Sequence, residues 1–104
     1  MQTEQEKLEY LNKELGTDYK SLDKVDWRMV SKNHKLSEDF IREFQDKVAW
    51  TSISRKQKLS ESFIREFENK VAWEYILKHQ KVSEDFIREF KYLTKHTYLN
   101  YIDI

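Results

Sequence analysis

A chain of 104 residues is long enough for one domain, residues 1–104, with a modest core. Its 19 basic and 19 acidic side chains cancel, so no global field draws in nucleic acid or an anionic membrane, and electrostatic recognition has to be local. The lack of cysteine removes disulfides, thiolate nucleophiles and zinc–cysteine sites and points to a reducing, cytoplasmic compartment. No apolar run approaches the ~20 residues of a membrane span, and the polar, acidic stretch 1–7 is unlike a signal peptide.

With no proline and one glycine, while Glu, Lys, Leu and Arg are abundant, the expectation is helix throughout. Residues 4–15 read as an amphipathic helix with Leu8, Leu11 and Leu15 on one face, ended by Gly16 where a left-handed residue is wanted. Residues 17–24 bring Tyr19 and Leu22 toward the same core as a short helix or turn, so 1–24 is predicted to form an N-terminal cap on the remainder of the chain.

From residue 25 onward a 23-residue unit is written three times. Residues 25–47, 48–70 and 71–93 overlay without a gap, aligning Trp27, Trp50 and Trp73 and the run Phe-Ile-Arg-Glu-Phe at 40–44, 63–67 and 86–90. A fixed period of this size marks a stacked array in which each unit buries its apolar face against its neighbours. One continuous helix is disfavoured, because 23 residues at about 100° each overshoot six turns and would spiral the apolar stripe around the rod. Each repeat is therefore predicted as two short helices. Helix A covers about 26–33, then comes a tight linker, and helix B covers about 38–46, with Ser37, Ser60 and Ser83 as N-caps ahead of acidic first turns. Leu36 with Ile41, Leu59 with Ile64 and Val82 with Ile87 are spaced as hydrophobic staples.

The predicted core is Trp27, Val30, Leu36, Phe40, Ile41 and Phe44; Trp50, Ile53, Leu59, Phe63, Ile64 and Phe67; and Trp73, Ile76, Val82, Phe86, Ile87 and Phe90. The tryptophans are read as packing between helices rather than as platforms for bases. The adjacent Arg-Glu pairs at 42–43, 65–66 and 88–89 are read as ion pairs between neighbouring units. Residues 94–104 resemble a degenerate fourth helix A, with His96 in the tryptophan column and Leu99 in the Val30 column; this apolar tail either docks on the stack or makes a homodimer contact. The fold class is thus all-α, a short solenoid of helical hairpins between an N-terminal and a C-terminal helical cap.

No nucleophile–base pair, phosphate loop or metal spacing is present, and His34, His79 and His96 sit apart, so no catalytic residue, metal, cofactor or small-molecule substrate is assigned. Two features suggest binding. The linkers Lys32-Asn33-His34-Lys35, Arg55-Lys56-Gln57-Lys58 and Lys78-His79-Gln80-Lys81 fall at equivalent places, so stacking would line them up as a basic ridge. Ordinary cations near helix C-termini are the competing explanation. Helix A also carries residues that differ between copies, Arg28-Met29-Ser31, Thr51-Ser52-Ser54 and Glu74-Tyr75-Leu77, read as an outward face with Met29, Tyr75 and Leu77 as apolar anchors.

The string LSEDFIREFQDKVAW at 36–50, with the Trp-x-x-Ile-Ser of 50–54, resembles a short tandem repeat of uncharacterised proteins from giant DNA viruses and some phages. The likeness spans 25–93; the third copy departs from it at Leu77 and Val82, and residues 1–24 lie outside it. It implies a viral or phage protein acting in the host cytoplasm, and a small binder of that origin implies an inhibitor of a host factor such as a defence protein. The reading is therefore a non-enzymatic protein-binding module using the helix A face and the basic linkers, with nucleic-acid binding along the ridge as the alternative.

Overall fold

The computed structural model describes residues 2–90. Helix α1, Glu4–Leu15, starts at Thr3, whose hydroxyl accepts from the Glu6 amide while the Glu6 carboxylate accepts from the Thr3 amide. It stops at Gly16, whose φ of 68° is the left-handed region that only glycine enters without cost. Asn12 then ties down the turn: its side chain accepts from the Tyr19 amide and the Thr17 hydroxyl and donates to the Tyr19 carbonyl. A 3-10 turn at Leu22–Lys24 leads into the first repeat.

The helix A segments are α2 (Trp27–Asn33), α4 (Trp50–Lys56) and α6 (Trp73–His79), and the helix B segments are α3 (Glu38–Glu43), α5 (Glu61–Glu66) and α7 (Glu84–Glu89). Seven-residue and six-residue helices are too short to stand alone in water, so their stability has to come from stacking. That stacking is direct, α2 against α4 and α4 against α6. The described residues measure 49 × 25 × 18 Å. The architecture is all-helical and repeats as the sequence predicts, with no strand among the described residues. No described helix is long and apolar enough to cross a membrane.

The serine N-caps hold in every copy, with Ser37, Ser60 and Ser83 accepting from the amides of Phe40, Phe63 and Phe86. Val30, Leu36, Phe40, Ile41, Phe44, Ile53, Leu59, Phe63, Ile64, Phe67, Ile76, Phe86 and Phe90 are buried as predicted. Tyr10 of α1 stacks on Phe40 and Phe44 at 6.0 and 6.2 Å, which puts the N-terminal cap over the first repeat. The tryptophans are half-buried rather than enclosed. Each packs on the last phenylalanine of its own repeat, at 5.2, 5.2 and 4.9 Å, and Trp50 and Trp73 donate their indole N–H to the carbonyls of Gln45 and Glu68. An indole needs a polar partner, and placing it at a repeat's rim provides one. Val82 and Ile87 are also only half-buried. The predicted C-terminal cap and dimer contact, 94–104 with His96, lie outside the described residues.

Candidate binding interface

The contacts that join successive repeats leave one edge of the array saturated and another open. On the helix B side, Arg42 forms a two-point pair with Glu66 of the next repeat, and Arg65 does the same with Glu89. Each guanidinium also lies over a phenylalanine of that next repeat, Arg42 over Phe63 at 5.5 Å and Arg65 over Phe86 at 5.2 Å. The Arg42 hydrogen bonds hold the Glu66 carboxyl below its ordinary range. Glu38 accepts from the amide and hydroxyl of Ser60, and Glu61 repeats this with Ser83. The inter-repeat ion pairs expected from the sequence are therefore present.

The A–B linkers are fixed by residues that sequence reasoning counted as surface. Gln57, 5% exposed, accepts from the Leu36 amide at 2.9 Å and donates to the carbonyls of Ser31 and His34 at 2.9 and 2.7 Å. Gln80 does the same one repeat later, bonding Leu59, Ser54 and Gln57. Each glutamine thus clamps the linker of the repeat before it. Ser31 and Ser54, expected on the variable outward face, are fully buried, and their hydroxyls accept from the Ala49 and Ala72 amides of the next repeat. That expectation is corrected: in this column a small buried hydroxyl takes up the backbone N–H of the alanine that begins the next helix A. Among the described residues no buried side-chain N or O lacks a partner.

The cations of the linkers and of the adjoining helix A face are left open. Arg28, Lys32, Lys35, Arg55, Lys56, Lys58, Lys78 and Lys81 are exposed, and among the described residues none has a carboxylate within ion-pair distance. Most of them line three neighbouring depressions. One of about 330 Å³ lies between the first and second linkers, bounded by Lys32, Asn33, His34, Lys35, Lys56, Gln57 and Lys58. One of about 370 Å³ lies between the second and third, bounded by Arg55, Lys56, Gln57, Lys58, Leu59, His79, Gln80 and Lys81. A third of about 210 Å³ joins Arg28, Lys32, Ser52, Arg55 and Lys56. Lys78 lines none of these three.

The apolar anchors fare unequally. Met29 is exposed, at 39% the only large hydrophobic residue to be so among the described residues. Tyr75 and Leu77 are half-buried, and the Tyr75 ring has two close neighbours, the Arg55 guanidinium at 5.5 Å and His79 stacked at 6.0 Å. Glu74 is exposed in the first turn of α6 and lines none of these depressions. No family model, curated protein or solved structure matches this chain.

Proposed function

We propose that this chain is a non-enzymatic, protein-binding helical-repeat module whose working surface is the linker edge together with the outward residues of helix A. One observation carries the reading. In a chain whose charges balance, Arg42 and Arg65 of the helix B side are tied to acids of the next repeat, while among the described residues the cations of the linker edge have no carboxylate within ion-pair distance and most surround contiguous depressions. An unpaired, rigidly mounted row of charge supports recognition of a complementary surface more than it supports folding. Exposed Met29 beside Arg28 and Lys32 adds the apolar contact that protein interfaces favour. The resemblance of 25–93 to viral and phage repeats gives this module a context, an inhibitor of a host defence protein in the host cytoplasm.

The same cations favour one other reading, a phosphate-gripping ridge for nucleic acid. Affinity capture from a host lysate, with and without nuclease, separates the two when run beside the K35E/K58E/K81E and M29A/Y75A variants. A defined protein that survives nuclease and is lost with both variants supports the module. Capture that collapses with nuclease overturns it in favour of nucleic acid.

A further inference from the structure

The two larger depressions are the same slot one repeat apart. Each lies between consecutive A–B linkers and has at its base a clamping glutamine, Gln57 in the first and Gln80 in the second. Lys56 and Lys58 belong to both slots; Lys32, His34 and Lys35 complete the first, and Arg55, His79 and Lys81 complete the second. The first and second linkers are each held by three hydrogen bonds to one glutamine, so the first slot has both walls, and the second slot one wall, fixed in advance, and less order is lost when a ligand enters them.

We infer that these paired slots bind an extended acidic polypeptide segment whose carboxylates recur every third residue. The inference rests on the protein-binding reading and names its partner's chemistry. Successive A helices pack side by side, so the slots repeat at an interhelical spacing of about 8–10 Å. A polyproline-II or extended strand advances about 3.1–3.3 Å per residue, which places acids at i and i+3 about 9–10 Å apart and one in each slot. Nucleic acid fits less well. Single strands are held by stacking on open aromatic faces, whereas Trp50 and Trp73 are pinned by N–H bonds against phenylalanine and Tyr75 is already covered by Arg55 and His79.

The test is a titration of the full chain at low salt with three labelled probes of equal charge: a peptide of four Glu-Pro-Ser repeats, a peptide of the same composition with its glutamates contiguous, and a short oligothymidylate. The spaced peptide should bind about tenfold tighter than the contiguous one. The K56Q/K58Q variant, which touches both slots, should weaken it by about another tenfold, the scale of two exposed ion pairs. K47Q, an exposed lysine outside both slots, should leave it unchanged. Circular dichroism of each variant confirms that the array is folded. Equal binding of the two peptides, tighter binding of the oligothymidylate, or an equal loss in K47Q overturns the slot assignment. The module reading falls separately, when nuclease-resistant capture is absent.

Discussion

The helix B side and the linker edge are built from the same repeated unit and use charge in contrary ways. On the helix B side every repeat boundary is crossed by a two-point arginine–glutamate pair and a serine capped by the preceding glutamate. On the linker edge the boundary is crossed by a neutral, buried glutamine, and the cations around it have no carboxylate within ion-pair distance among the described residues. An array needs its charges satisfied only where they hold neighbours together. Where a neutral amide does the joining, the neighbouring charges are not needed for that contact.

The contrast breaks first at the glutamines. Gln57→Ala leaves the Leu36 amide and the Ser31 and His34 carbonyls without this partner in a buried site, at a cost on the order of 2–4 kcal/mol, and thermal or denaturant unfolding should show a large fall. Gln57→Glu does not rescue it, because a carboxylate accepts from Leu36 but donates to neither carbonyl. Ser54→Ala is the next smaller change. It orphans the Ala72 amide and should cost about 1 kcal/mol by the same measurement, with α6 losing protection from amide exchange before α4.

These residues also mark where the sequence stopped being legible. The 23-residue period, the serine N-caps, the Arg-Glu pairs and most of the apolar columns translate directly into structure, because apolar periodicity and capping are local signals. The glutamines and serines do not, since a lone Gln between lysines or a Ser on a helix reads as solvent-facing by composition. The signal was in the columns. Gln57 and Gln80 recur one period apart, and His34 replaces them only in the first copy, which has no earlier A–B linker to clamp. Asp26 caps its own helix through the Met29 amide, whereas Ala49 and Ala72 have no such side-chain cap and instead donate their own amides to Ser31 and Ser54 of the repeat before. The candidate ridge was legible as a row of basic linkers, but the slots between them were not, because they exist only once repeats are stacked.

On the helix B side the expected losses are smaller and depend on pH. Glu66 has its pKa lowered below 4.5 by the Arg42 hydrogen bonds, so its contribution is present above that value and is lost as pH falls through the lowered folded-state pKa. Melting temperature should therefore drop below about pH 4.5, and Glu66→Gln should make that drop shallower while changing the neutral-pH value less than Ser54→Ala does.

The smallest effect on stability distinguishes the two edges by sign. Neutralising Arg42 removes an attraction, so Arg42→Gln should lower the melting temperature at low salt, and because the pair is 2.8 Å apart, inside the screening length of about 3 Å at 1 M, part of that loss should persist at high salt. Neutralising Lys35, Lys58 and Lys81 together relieves mutual repulsion among cations that have no acid within ion-pair distance in the described residues, a gain set against the weaker attraction of each to a helix C-terminus. The K35Q/K58Q/K81Q variant should therefore melt slightly higher than the parent at low salt, and the difference should vanish as salt is added. A fall at low salt would mean that these lysines hold the array together. In that case the linker edge is a second structural ladder, and the separation of joining charge from binding charge on which the proposed surface depends is lost.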